Sequence, residues 1–241
     1  PHLRAISYGG AKMPQAVIER AMDLLPQVEF TNAYGLTETS STITVLTPDD
    51  HRRAAGSDDP SVRRRLTSLG TALPSVQIEI RGESGEPVQA GEWGEIHVRG
   101  EQISGEYLDQ GSRLDQGWFP TRDRGSLDAA GYLFLEGRSD DIIVRGGENI
   151  SPGEIEDVLL LHDAVIDCAV VGIADEQWGE AVAAALVLRG GATVTDDELR
   201  AWVTERLRSS RAPVHFEFRD ELPYTETGKL LRRQVRAARE P

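Results

Sequence analysis

The sequence predicts a mixed fold, α/β at its two ends and antiparallel β in its middle, and three observations predict it. Short apolar runs alternate with stretches of helical period over residues 1–36 and again beyond 141. Between them, period-two alternation over 76–135 is broken by Gly-containing turns. A Gly137-Arg-Ser-Asp140-Asp141 segment then marks the change from the β-rich part to the second α/β pattern.

The elements follow in order. Residues 3–7 read as a strand stopped by Tyr8-Gly9-Gly10. Pro14 opens a helix, with Val17, Ile18, Ala21, Leu24 and Leu25 expected on one face at spacings of three and four. Residues 28–30 form a second short strand that runs into the loop Thr31-Asn-Ala-Tyr34-Gly-Leu-Thr-Glu38. The polar stretch 48–66 interleaves acids with Arg63-Arg64-Arg65 and reads as a solvated loop or helix face. Val76, Ile78 and Ile80 alternate with polar residues, Gly82-Glu-Ser-Gly85 turns the chain, and 95–99 returns. A second hairpin turns at Asp128-Ala-Ala-Gly131, between 124–127 and 132–135.

Beyond the boundary, 142–144 is a strand and Arg145-Gly-Gly-Glu148 a tight loop. Ser151-Pro-Gly-Glu154 carries a capping-box pattern ahead of the stripe Ile155, Val158 and Leu159. Strands follow near 165–171 and 182–188. Thr195-Asp-Asp-Glu198 caps a helix with Leu199, Trp202, Val203 and Leu207 inward, and 214–218 is the last strand. Residues 141–241 hold enough strands and capped helices to fold by themselves, whereas 1–139 carries an incomplete sheet with exposed apolar edges.

Composition narrows the partners. With 26 basic against 40 acidic residues the net charge is −14, which argues against nucleic acid as the main partner. No apolar run approaches the roughly 18 residues of a membrane span. The single cysteine, Cys168, lies in an apolar run and is expected to be a buried small hydrophobe; one thiol makes no internal disulfide, which fits a cytoplasmic setting. The chain starts at Pro1 rather than Met, so an upstream part is expected to be missing.

Several short segments carry chemistry. Lysine is nearly absent, only Lys12 and Lys229 occurring, and every other cation is arginine. Keeping a lysine in Pro223-Tyr-Thr-Glu-Thr-Gly-Lys229 suggests a task that needs a compact ammonium, although the segment alone also reads as a surface lysine after a turn. Tyr34-Gly-Leu-Thr-Glu38 sets a ring, a flexible glycine, a hydroxyl and a carboxylate within five residues. That set suits a base, a phosphate and a divalent cation, and equally suits a strand end with a capping threonine. Asp123 is placed to accept from vicinal hydroxyls or to sit in a turn. Arg138 with Asp140-Asp141 offers a cation and a pivot, or a surface ion pair. Arg145-Gly146-Gly147-Glu148 is Gly-rich without a phosphate-loop frame.

In this order, from Ser7-Tyr-Gly-Gly-Ala11 through Lys229, these segments resemble the adenylate-forming (AMP-binding) superfamily of acyl-CoA ligases, luciferases and nonribosomal adenylation domains. The resemblance implies the end of a large N-terminal domain over 1–139, an α/β sheet segment plus a β-barrel-like subdomain, followed by a small α+β C-terminal lid domain over 140–241. It implies ATP, Mg²⁺ and CoA as cofactors or co-substrates and a carboxylic acid, fatty or aryl, as substrate. Gly9, Gly10 and Ala11 would line the adenine and acyl pocket, Tyr34 would stack on adenine, and Thr37 would meet phosphate oxygens. Glu38 would hold Mg²⁺, Asp123 the ribose hydroxyls, and Arg138 would assist on the nucleotide. Lys229 would bridge the carboxylate and the α-phosphate in adenylation. Asp140 would be the hinge, and Gly146 and Gly147 would line the thiol channel.

Two departures qualify the resemblance. Residues 1–33 hold no Ser/Thr/Gly-rich phosphate loop, so residues 1–241 alone are expected to show little adenylation. Arg122 stands where the family usually has the glycine before its ribose-binding aspartate. An adenylation domain serving a carrier protein and a non-catalytic nucleotide-binding protein are the alternatives.

Overall fold

In the computed structural model, which describes residues 2–10, 13–104, 106–107, 111–112, 114–226 and 228–237, β1 (Ala5–Gly9), α1 (Gln15–Leu24) and β2 (Glu29–Leu36) form the expected strand–helix–strand start, with β1 and β2 parallel. Ala11 and Lys12 lie outside the described residues. The chain divides into two units, Pro1–Glu136 and Gly137–Pro241.

In the first unit, β2 is longer than its apolar run suggested. It continues through Tyr34 and Gly35, because β3 (Ser41–Leu46) returns antiparallel and supplies hydrogen-bond partners that the local sequence does not announce. Only part of the expected α1 stripe is covered. Ile18 is buried with Ala21 and Leu25 packed beside it, while Val17 and Leu24 are exposed. Of loop and helix face, the 48–66 stretch takes mainly the second. It folds into α2 (Pro48–Ala55) and α3 (Pro60–Arg63), capped by Thr47 and Asp59 with proline in each first turn. Its arginines pack rather than float: Arg64 lies 4.4 Å over the Phe134 ring, and Arg65 lies 4.3 Å over Tyr132 while pairing with Asp128 at 2.9 Å.

After β4 (Thr71–Ala72), which completes a sheet of order β1-β2-β3-β4, the antiparallel part begins with β5 (Val76–Arg81) and β6 (Gly94–Gly100). A two-strand ladder, β7 (Glu106–Tyr107) with β8 (Gly111–Ser112), precedes β9 (Phe119–Leu127) and β10 (Leu133–Arg138). The second sheet runs β10-β9-β6-β5. Its apolar face packs with Ile43 of the first sheet around the fully buried Ile96, Val98 and Leu133, each contributing about 1.5–3 kcal/mol by burial.

The second unit is built on β11 (Ile143–Arg145), β12 (Glu148–Ile150), α4 (Pro152–Leu159), β13 (Val165–Asp175), β14 (Gly179–Leu188), α5 (Asp196–Thr204), β15 (His215–Arg219) and α6 (Arg232–Ala237). The sheet order is β12-β11-β14-β13, with β15 parallel to β14. The period-two rule explains its unbroken apolar strands. Cys168, Val170, Val182, Ala184 and Leu186 face α4 and α5, whereas Ala169, Val171, Ala183 and Ala185 face Leu222 and Val235. Cys168 is buried as expected, and burial pushes its thiol well up.

One helix start differs from its sequence pattern. Ser151 is the cap residue of α4, but its side chain makes no capping bond, and Glu154 is drawn instead to Arg211 at 2.6 Å. The Thr195–Glu198 box forms reciprocally, Glu198 N–H donating to Thr195 Oγ1 at 3.2 Å and Thr195 N–H to Glu198 Oε2 at 2.8 Å. Among the described residues, no helix is long and apolar enough to cross a membrane.

Candidate functional site

In the first unit the candidate residues gather where β1, β2 and β9 end or bend. Gly9 pairs with Ala33 in the β1–β2 register, and a Cβ on it would come within 2.3 Å of the Ala33 carbonyl oxygen. Gly10 turns at φ +80°. Ala11, the third expected residue here, is outside the described set.

Tyr34 lies in β2 beside Gly35, where the β2–β3 register shifts. A Cβ on Gly35 would come within 1.9 Å of the Ser41 carbonyl oxygen, so only glycine lets the two strands approach there. Tyr34 Oη donates to Asp123 Oδ2 at 2.5 Å, joining two motifs 89 residues apart. Asp123 is buried, and its position in β9 is set by an irregularity opposite β6.

Thr37 and Glu38 open a short 3-10 turn, Thr37–Thr39, with Thr37 exposed and Glu38 half-buried. The turn is held by residues that sequence reading did not single out. Thr39 is fully buried; its Oγ1 accepts from Leu36 N–H at 2.9 Å and donates to the Ser41 carbonyl at 2.7 Å. The Gln102 amide donates to the Thr39 and Thr42 carbonyls at 3.1 and 2.9 Å. Ser40 and Ser41 take φ of +54° and +130°, so the turn is strained as well as braced. The only sequence hint was the hydroxyl-rich run Thr37-Glu-Thr-Ser-Ser-Thr42. An open cleft of about 480 Å³ lies over this turn, lined by Ala33, Gly35, Leu36, Thr37, Ser41 and Thr42.

Behind Gly9, the Tyr8 hydroxyl meets His51 Nε2 at 2.7 Å, and His51 Nδ1 lies 2.8 Å from the Thr47 carbonyl. A carbonyl only accepts, so Nδ1 carries the proton and Nε2 accepts from Tyr8. Burial pushes the Tyr8 hydroxyl up to about 12 and holds His51 below its ordinary value.

Arg138, Asp140, Gly146, Gly147 and Lys229 belong to the second unit. Asp140 is exposed in a single 3-10 turn, Ser139–Asp141. Gly146 and Gly147 take φ of +58° and +83° in the β11–β12 turn. Gly146 N–H donates to the Trp178 carbonyl at 2.8 Å, and a Cβ on Gly146 would come within 2.7 Å of the indole. The flanks of this turn are tied to the Ser209–Arg211 turn. Arg145 donates to the Ser210 carbonyl at 2.8 Å, and Glu148 pairs with Arg211 at 2.6 Å.

Lys229 is exposed on a narrow turn closed by the Tyr224–Leu230 bridge. Thr225 and Lys229 exchange backbone contacts, Thr225 N–H donating to the Lys229 carbonyl and Lys229 N–H to Thr225 Oγ1, both at 2.9 Å. Both ends of the turn are anchored. Tyr224 Oη donates to the Asp167 carboxylate at 2.9 Å, and Arg232 forks onto Glu156 at 2.5–2.6 Å. Burial raises the Tyr224 hydroxyl well above its ordinary value, with the Asp167 hydrogen bond adding to it.

Comparison with known proteins finds matches within each unit. The family model described as AMP-binding enzyme matches residues 1–108, and the one described as AMP-binding enzyme C-terminal domain matches 154–229. A feruloyl-CoA synthase from an Amycolatopsis species is 35% identical over 238 residues, 97% of this chain and 46% of the relative. A 2-succinylbenzoate–CoA ligase from Bacillus mycoides is 37% identical over 240 residues, again 97% and 46%. Among solved structures, an amide bond synthetase from Marinactinospora thermotolerans matches with TM-score 0.87 and 36% identity over 99% of this chain and 47% of its own. An o-succinylbenzoate CoA synthetase from Bacillus subtilis in complex with its acyl-adenylate intermediate matches with TM-score 0.84 and 35% identity, over 100% and 47%. The chain spans about half the length of the curated relatives it matches.

Proposed function

Because the chain belongs to the AMP-binding enzyme family, we propose that it serves the ATP-dependent activation of a carboxylic acid and transfer of the acyl group to CoA. A carboxylate oxygen bonds to the α-phosphorus of ATP and the bond to the bridging oxygen breaks, releasing pyrophosphate. The CoA sulfur then bonds to the acyl carbon and AMP leaves. In this reading 1–139 is the end of the AMP-binding domain and 140–241 its mobile C-terminal domain, with Asp140 the hinge.

What supports the reading most is the Tyr34–Asp123 contact, since it joins the expected adenine and ribose residues beside an open cleft. Tyr34 stacks on the base, Asp123 accepts from the ribose hydroxyls, Gly9, Gly10 and Ala11 line the pocket, and Thr37 meets phosphate oxygens. Arg138 assists on the nucleotide. Lys229 places its ammonium between carboxylate and α-phosphate, where negative charge builds up in the transition state. Gly146 and Gly147 leave room for the thiol arm.

The half-buried Glu38 carboxylate beside the Thr37 hydroxyl fits Mg²⁺, which takes one or two carboxylates and completes its octahedron with phosphate oxygens and water. No cluster of three His, Cys, Asp or Glu ligands occurs among the described residues. When bound, Mg²⁺ neutralises phosphate charge.

The named acids of the relatives, ferulate and 2-succinylbenzoate, are aromatic, which favours an aryl over a fatty acid here. The likeness to an amide bond synthetase supports a second reading, in which an amine replaces the thiol as acyl acceptor. ATP–pyrophosphate exchange by a form of the protein that carries a Ser/Thr/Gly-rich phosphate loop ahead of residues 1–241, over aryl and fatty acids and followed by CoA or amine consumption with each hit, tests both. Exchange with aryl acids and CoA consumption is expected; exchange with amine consumption selects the second reading. No exchange with any acid, and no AMP binding, breaks both.

A further inference from the structure

Asp123 reaches Tyr34 only because β9 carries extra residues opposite β6. Glu95 pairs with Arg124 and His97 with Pro120, so Thr121, Arg122 and Asp123 together stand opposite Ile96. Thr121 and Asp123 lie on the buried side, with Arg122 exposed between them. Thr121 secures the inner side: its Oγ1 donates to the Ile96 carbonyl at 2.8 Å and accepts from Asp123 N–H at 3.1 Å.

The outer side depends on a strained residue. Arg122 takes φ +61°, a left-handed backbone that a residue with a Cβ resists and that glycine adopts freely. The resemblance places a glycine here; this chain places an arginine. One side chain captures its amide: Arg122 N–H donates to Glu95 Oε1 at 3.1 Å. The other Glu95 oxygen lies 3.5 Å from His97 Nε2, so the carboxylate is itself held on the strand. That contact with His97 is the main reason the Glu95 carboxyl lies below its usual range.

We propose that Glu95 is a positioning residue for the nucleotide site, whose carboxylate holds Arg122 in the left-handed conformation that turns Asp123 toward Tyr34. The inference rests on the reading of Asp123 as the ribose ligand. Glu95 itself touches no substrate. Its carboxylate replaces, by a hydrogen bond, the conformational freedom that glycine would supply at position 122. The two positions are therefore coupled: removing Glu95 matters while Arg122 is present and matters little once it is glycine.

The purified protein and its Glu95→Ala, Glu95→Gln, Arg122→Gly and Glu95→Ala/Arg122→Gly variants test this, with AMP as probe ligand. Amide hydrogen exchange over 121–123, measured without nucleotide, is the second readout. Glu95→Ala is expected to raise the Kd for AMP about tenfold, some 1.4 kcal/mol, and to speed exchange at Arg122. Glu95→Gln, whose side-chain carbonyl still accepts, should stay within about threefold, and the double variant should recover to the same level. A Glu95→Ala protein with unchanged affinity and exchange overturns the inference, and so does a double variant no better than Glu95→Ala. If AMP affinity ignores Asp123→Ala while Arg122 exchange still follows Glu95, the brace stands and the ribose reading falls.

Discussion

The two units hold their candidate residues in opposite ways. Around Tyr34 and Asp123 the first unit is interlocked: a buried carboxylate, a buried Thr39 and two serines at positive φ fix the backbone itself. In the Lys229 turn of the second unit Tyr224, Glu226, Gly228 and Lys229 are exposed, and Tyr224–Asp167 and Arg232–Glu156 tie its two ends to the rest of the unit. A nucleotide-binding surface gains from being rigid before the ligand arrives, because less conformational entropy is lost on binding. A lysine that acts in one half-reaction gains from standing clear of the fold that carries it.

That contrast is broken most directly at Lys229. Lys229→Ala should lower the adenylation half-reaction by about 10²–10³, the usual loss of one well-placed donor to a developing charge. Because the side chain is exposed, thermal stability should not move. Thiol transfer from a supplied acyl-adenylate should change far less, and equal losses in the two half-reactions would contradict a role confined to the first.

The anchors should behave in reverse. Arg232 lies 24% exposed and Glu156 13%, so Arg232→Ala leaves a largely desolvated carboxylate without its partner. The expected loss is about 3 kcal/mol of stability in the second unit, at the low end for such pairs because water still reaches the arginine. Hydrogen exchange should accelerate across α4 and α6 and leave β2 and β9 unchanged. An adenylation defect without that acceleration would move Arg232 from scaffold to chemistry.

How much of this the sequence disclosed follows the range of the interactions. Local spacing placed β1 and α5, and continuous apolar runs placed β13 and β14, because sequence pattern and burial coincide there. The nearness of Gly9 to Tyr34 and the order of the motifs were legible from the resemblance. The extension of β2 was not, since it depends on a partner strand, β3, that carries no turn signal of its own. Nor was the service of Thr39, Gln102 and Glu95, polar residues whose partners lie across the fold. The Ser151 box failed because Arg211, 57 residues from Glu154, competes for that carboxylate with a charge-assisted bond that a cap cannot match. The expected hinge, lysine and glycine-turn roles rest on motif alone.

The smallest effect separates the units by pH. His51 is buried behind Gly9, held neutral by desolvation against the opposing pull of the Thr47 carbonyl and the Asp50 charge, and pressed by the Tyr8 and Phe30 rings. Its folded value lies below the ordinary 6.5, so between those two values the unfolded chain binds the proton that the folded unit refuses. The first unit therefore keeps this contribution above about pH 6.5 and loses it as pH falls toward the folded value. No buried histidine does the same in the second unit's described residues, where the internal tie is an arginine–carboxylate pair. Protection factors against amide exchange across β1 and α2 should fall as pH drops below the ordinary histidine value, ahead of those in β13 and β14. His51→Gln should flatten that slope while lowering stability at pH 7, because the Tyr8 hydroxyl loses its ring partner. A slope that survives the substitution would assign the acid sensitivity to the carboxylates of the first unit instead, and the two halves would then differ in rigidity alone.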